Sequence, residues 1–160
     1  MDEAIDARLR RLEDQLAIYQ LVCGYGYAVD GLNGEAVADC YAQDGVYTVA
    51  DSGRFEGREA VASITRDPTH IGYVTSGCAH MSTLPHVVIQ GGRAVATCHT
   101  MVARHGPDGF SVFRLSASGI ELARQADGAW RIVHRQNRLL DGDPAGPALL
   151  GRFKEALEVR

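Results

Sequence analysis

The sequence predicts an α+β fold: a cone-shaped, curved antiparallel β-sheet closed by N-terminal helices around an internal cavity. Three observations carry this expectation. The first thirty residues repeat apolar side chains at helical spacing, and the second half consists of long strand-like runs. The turns between those runs are short enough to make neighbouring strands antiparallel. A sheet of that length must cover one face, and the N-terminal helices are the available cover.

Each element follows from local pattern. Leu12, Leu16, Tyr19 and Cys23 step by four, three and four, so a helix is predicted from about Glu3 or Ala7 to Val29, broken by "DGLNG". This stripe is read as core-facing, and continued it reaches Gly26 and Asp30. A short helix is expected in "GEAVADCYA" (34–42), a strand in "VYTVA" (46–50), a turn at "DSG" (51–53) and a short helix in "GREAVASITR" (57–66). "HMSTLPHVVI" (80–89), "RAVATCHTMVA" (93–103), "GFSVFRLSASGIELARQ" (109–125) and "AWRIVHRQNRLL" (129–140) read as strands, joined by "QGG", "HGPDG" and "ADG". "PALLGRFKEALEV" (147–159) is predicted as a C-terminal helix.

Composition bounds the function. With 160 residues the chain is sized for a single domain, 1–160, with a real core. Its formal charge of −4, without a basic cluster, gives no reason to expect nucleic acid or an anionic membrane as partner. Fifteen of the sixteen basic residues are arginine, so no lysine is at hand in the body of the chain for Schiff-base chemistry. Cys23, Cys40, Cys78 and Cys98 show neither zinc-ligand spacing nor a disulfide framework, and are read as small buried hydrophobes. No apolar run is long enough to span a membrane, and the charged N-terminus lacks a secretory core. A cytoplasmic protein without a metal is expected, since no histidine pairs with another ligand at the helical spacings of zinc hydrolases.

Asp30 is the first candidate for chemistry. It ends a helix whose preceding turns face the core, and a carboxylate so placed calls for a cationic or hydrogen-bonding partner. The same position also suits an Asx-type turn. Of six histidines, His80 opens the first long strand at the predicted cavity rim and shares a face with Ser82, Leu84, His86 and Val88. His70, in "DPTH", is read as a solvent-exposed loop residue. His134 lies on a face with Trp130, Ile132, Gln136 and Arg138, too polar for plain core and too apolar for plain surface. Tyr25, Tyr27 and Tyr47 are candidate wall residues. At about 100° per residue, Tyr27 lies about 60° from Asp30 and Tyr25 about 140°, so spacing favours Tyr27 as its neighbour.

Taken in order, "AIYQLVCGYGYAVDGLNGEAVADCYAQDGVYTV", "GREAV", "AHMSTLPHVVI" and "DGAWRIVHRQNRLLDG" resemble the SnoaL-like branch of the nuclear transport factor 2-like superfamily. The likeness spans roughly residues 10–142 and is nearest to scytalone dehydratase, bile acid 7α-dehydratase and hexachlorocyclohexane dehydrochlorinase. It implies the cystatin-like α+β barrel already read from the pattern. It also implies that Asp30 pairs with His80 to remove a proton, and that Tyr25, rather than Tyr27, assists. A late-strand arginine of these relatives falls within one position of Arg138, and a second histidine falls near His105. An asparagine of scytalone dehydratase meets Gly119 instead, which speaks against that particular substrate.

The resulting expectation is a cofactor-independent lyase of dehydratase type. Asp30, His80 and Tyr25 would be catalytic, with Tyr27, Tyr47, His105, His134 and Arg138 binding the substrate. The substrate would be a hydrophobic ring compound of polyketide, steroid or aromatic type. A polyketide cyclase or isomerase using the same base, and a non-catalytic small-molecule-binding domain, are the alternatives. A homotrimer or homodimer is expected, because the helices are too few to cover the outer face of the sheet.

Overall fold

The helical periodicity of the N-terminus is realised as one 28-residue helix, α1 (Glu3–Asp30), in a computed structural model that describes residues 3–50 and 53–155. Its row Ile18, Val22, Gly26, Asp30, flanked by Tyr25 and Val29, turns toward the sheet. The stripe expected to face the core does not: Leu12 and Leu16 are 57% and 60% exposed, and Ile5 and Leu9 are exposed with them. α1 carries two apolar stripes, and periodicity alone does not say which one meets the sheet. Asp14 decides it, because Trp130 Nε1 donates to its carboxylate at 3.1 Å and Arg124 pairs with it. No described helix is both long and apolar enough to cross a membrane.

The remaining helices are short. α2 (Gly34–Asp39) is capped by the Asn33 side chain and stops before the expected end at 42, because β1 (Tyr41–Val49) begins there. β2 (Gly53–Glu56) follows, then α3 (Arg58–Ala62), which tightens into a 3-10 turn over Ser63–Arg66. The "DPTH" segment (67–70), read as loop, instead opens a further helix, α4 (Pro68–Ser76). Asp67 accepts from the backbone N–H groups of Thr69 and His70, with Pro68 at the first helical position. α5 (Ala145–Gly151) starts earlier and stops sooner than predicted; the turn expected at 51–52 and the predicted helix end at 156–159 lie outside the described residues.

The strand run 80–89 is split. β3 (Cys78–Ser82) and β4 (His86–Gln90) flank Thr83, Leu84 and Pro85, and across this break Val87 and Ile89 take over the core-facing positions. β5 (Arg93–Gly106), β6 (Gly109–Arg124) and β7 (Trp130–Leu139) are long, with β6 antiparallel to the strands on either side of it. The strand order is β2-β1-β7-β6-β5-β3, with β4 also paired to β5. β1 runs parallel to β7, so the sheet is mixed rather than wholly antiparallel. After β2 the chain crosses through α3 and α4 to the far edge and returns by hairpins, which leaves β7 parallel to its neighbour β1. The edges β2 and β3 do not pair, so the sheet is curved but open.

Bulges shape it. One extra residue, Phe113, interrupts the β5–β6 ladder, and Val133 interrupts the β6–β7 ladder. Such insertions bend a strand and exchange its two faces. The core lies in the hollow of the sheet, where Ile120, Leu122, Ile132, Ala94 and Ala96 meet Ile18, Val22 and Val29 of α1. α5 lies on the other side, where the missing side chain of Gly119 leaves room for Leu149.

Candidate active site

Gly26 brings the two halves of the site together. A Cβ at this position would lie inside 3.0 Å of the His80 carbonyl oxygen, so only glycine lets α1 seat its backbone on β3. One turn later Asp30 reaches the same strand. Its Oδ1 accepts from His80 Nδ1 at 2.6 Å and its Oδ2 from the His80 backbone N–H at 2.7 Å. The turn after α1 is closed without it, by Gly31 N–H on the Tyr27 carbonyl and Asn33 N–H on the Ala28 carbonyl. Asp30 is therefore not the turn residue that the local pattern also allowed. A carboxylate at a helix C-terminus opposes the helix dipole, which the double contact with His80 offsets.

Nδ1 of His80 is committed to Asp30, so the neutral ring carries its lone pair on Nε2. His80 lines a cavity of about 710 Å³ whose walls also include Tyr25, Val29, Tyr47, Val49, Phe55, His70, Arg135 and Asn137. The side chains of His80 and Asp30 are 19% and 22% exposed, so the pair is sheltered yet reachable. Tyr25 is buried, with its ring edge-on to those of Tyr41 and Tyr47, both at 6.0 Å. Burial, and then its tyrosine neighbours, push its hydroxyl well above the ordinary tyrosine value, so it stays protonated as a donor. Asp30, Cys78 and His80 also place ligand atoms within 4.8 Å of one another, a set that could hold a metal ion. The Asp30–His80 hydrogen bond already engages two of those three residues.

Not every expected residue comes to this cavity. Tyr27, favoured by spacing, is 78% exposed, because the helix face it shares turns to solvent. His105 falls on the outer side of β5, where the even positions from Ala94 to Val102 face inward; its N–H donates to the Gly77 carbonyl and its ring packs on Phe110. His134 lies on the outer side of β7, near Thr48 and Glu121. Arg138 lines a small separate cleft with Asp141 and Asp143. For His134 and Arg138 the cause is the Val133 bulge, which ends the face begun by Trp130 and Ile132 and turns Arg135 and Asn137 inward instead.

Sequence reasoning missed three residues. Arg135 is 4% exposed and stacks over the rings of Tyr25 and Tyr47, at 4.4 and 5.0 Å. Asn137 donates to the Tyr47 hydroxyl at 3.0 Å and accepts from Ser118 Oγ at 2.8 Å. His70, expected in solvent, is buried on α4, with Nε2 3.0 Å from the Val29 carbonyl and its ring 5.5 Å from that of His80. The "DP" helix start was the signal for His70. For Arg135 and Asn137 the strand pattern held none, because the other face is equally polar.

The fold has known counterparts. The chain is similar to an NTF2-like protein of cystatin-like fold from Novosphingobium aromaticivorans, at 38% identity and a TM-score of 0.89, covering 94% of this chain and 98% of that one. It also shares its fold with a protein of unknown function from Mycobacterium tuberculosis (21% identity, TM-score 0.69, 93% and 89% covered). A hexachlorocyclohexane dehydrochlorinase from Novosphingobium barchaimii has the same fold (18% identity, TM-score 0.71, 83% and 90% covered). No curated protein matches the sequence. The model of the SnoaL-like domain matches residues 10–136, and with the fold and full-length similarity above, the chain belongs to the SnoaL-like domain family, of NTF2-like, cystatin-like α+β fold.

Proposed function

We propose that this protein is a cofactor-independent lyase that eliminates water from a hydrophobic ring compound, with His80 as general base. The observation that carries the reading is the 2.6 Å Asp30–His80 hydrogen bond at the wall of a ligand-sized cavity. His80 Nε2 takes a proton from carbon beside a carbonyl, and the carboxylate of Asp30 stabilises the imidazolium that forms. The electron pair of the broken C–H bond becomes the new C=C bond. The departing hydroxyl leaves with its bonding pair and takes a proton from the imidazolium or from Tyr25, and is released as water. Tyr25, held protonated by burial, favours elimination over the cyclase or isomerase alternative, because a leaving hydroxyl needs an acid nearby. The kinship with a fold that includes a dehydrochlorinase agrees with elimination. The apolar lining from Val29, Val49, Phe55 and Met101 suits a ring compound.

Base strength in the cavity is measurable without the natural substrate. Exchange of the acidic C–H protons of β-tetralone in heavy water, followed by proton NMR, should be accelerated by the wild-type protein. His80→Ala should reduce that acceleration by roughly 10²-fold or more. A wild-type rate no faster than buffer, or a His80→Ala rate equal to wild type, would sink the reading in favour of a binding domain.

A further inference from the structure

The cavity holds a buried positive charge that the proton-transfer reading does not use. Arg135 is 4% exposed, and no Asp or Glu among the described residues lies within 4.0 Å of it. Its Nε makes a long hydrogen bond to Ser118 Oγ, 3.4 Å. Ser118 Oγ in turn donates to Asn137 Oδ1, and Asn137 Nδ2 donates to the Tyr47 hydroxyl. That relay engages Ser118 and Asn137, and the buried hydroxyl of Tyr41, which has no hydrogen-bond partner of its own among the described residues, is the remaining neutral oxygen beside the guanidinium. The terminal N–H groups of Arg135 and the hydroxyl protons of Tyr25 and Tyr47 remain, and all are donors.

The faces of Tyr25 and Tyr47 return part of the cost of burying the cation, but they accept no in-plane hydrogen bond. Tyrosinate does not supply the missing charge: burial first, and neighbouring tyrosines after it, push the Tyr25 hydroxyl up and hold it neutral. Asp30 is taken by His80. Arg66 and Arg114 also line the cavity, neither within 4.0 Å of an Asp or Glu among the described residues, and the exposed Asp67 is the acid in that lining. Three arginines against one acid in the lining make the field of the cavity favour anions.

We propose that Arg135, with the hydroxyl of Tyr47, is an anion subsite for a carboxylate carried by the ring compound that His80 acts on. The proposal rests on the proton-transfer reading for what His80 does and adds the substrate class: a ring carboxylic acid rather than a neutral ring. A single buried guanidinium balances a single charge and presents a planar fork, which fits a carboxylate better than a phosphate dianion.

The test is calorimetric binding of β-naphthoate and of its neutral isostere β-naphthamide, near neutral pH and at low salt. Wild-type protein should bind the carboxylate roughly ten-fold or more tighter than the amide. Arg135→Met should lose that preference while keeping amide affinity within about three-fold, since a buried charge replaced by an apolar chain of similar volume is commonly tolerated. Arg135→Lys, which keeps the charge without the planar fork, should weaken the preference and serves if Arg135→Met does not fold; a preference unchanged in either variant overturns the proposal. Equal affinity for the two probes, preference for the amide, or no measurable naphthoate binding overturns the proposal. His80→Ala should keep the carboxylate preference, so loss of tetralone exchange with intact preference would sink the base and leave the subsite. The reverse outcome would sink the subsite alone.

Discussion

Replacing Asp30 by Asn removes a charge but no volume, and the loss falls on the two hydrogen bonds that hold His80. Asp30 accepts both from that one residue, the ring Nδ1–H and the backbone N–H, at 2.6 and 2.7 Å. An amide offers one oxygen and one NH2 group. If the oxygen takes the backbone N–H, the NH2 faces Nδ1, which can accept it only without its own proton. The opposite rotamer sets the NH2 against the backbone N–H, donor against donor. The imidazole therefore switches tautomer, and Nε2, the cavity-facing nitrogen, gains a proton and loses its lone pair. A general base contributes about 10²–10⁴ in rate, so tetralone exchange should fall by much of that. Stability should barely move. Two charge-assisted hydrogen bonds become neutral ones, at about 1 kcal/mol each. Against this stand the easier burial of an amide and the removal of a carboxylate from a helix C-terminus, the latter about 0.3–1 kcal/mol. The net change of about 1 kcal/mol corresponds to a melting shift of only a few degrees. The tautomer is read by nitrogen NMR of His80 beside the exchange rate and the melting curve. An Asp30→Asn protein with wild-type exchange, or with Nε2 still unprotonated, would refute this reasoning.

Gly26→Ala should damage stability and chemistry together: its Cβ would press on the His80 carbonyl oxygen, forcing α1 from β3 at about 1–3 kcal/mol and stretching the Asp30–His80 contact. Denaturant midpoints and exchange rates check this, and an unchanged midpoint would count against the close packing. Burial pushes the Cys40 thiol from 9.0 up to about 11. The unfolded chain therefore releases that proton first, and stability present below pH 9 is lost as pH rises toward 11, by roughly 3 kcal/mol at most. Cys40→Ala should flatten the fall in melting temperature over that window. The exposed α1 stripe of Ile5, Leu9, Leu12 and Leu16 should be buried between copies in a homotrimer or homodimer. Light scattering should show wild-type protein as an oligomer and Leu9→Glu/Leu12→Glu as a smaller species; a monomeric wild type would refute it.

Local pattern determined much of this protein. Helical spacing placed α1 to within a residue of its end, and alternation with short turns located β5, β6 and β7, because both signals depend only on neighbours in the chain. The inward turn of Asp30 was legible too, although the row that carries it is Ile18, Val22, Gly26 rather than the leucine stripe. What the chain could not show by itself was which of two faces wins. On α1 that choice rests on Asp14 meeting Trp130, residues more than a hundred positions apart. On β7 it rests on the Val133 bulge, where one unpaired residue moves Arg135 and Asn137 inward and His134 and Arg138 outward. A bulge has no sequence signature here, since it is set by how β7 must bend between β6 and β1. The parallel pairing of β1 with β7, the open edge and the tyrosine-stacked arginine come from that same tertiary path, and with them the charge of the cavity.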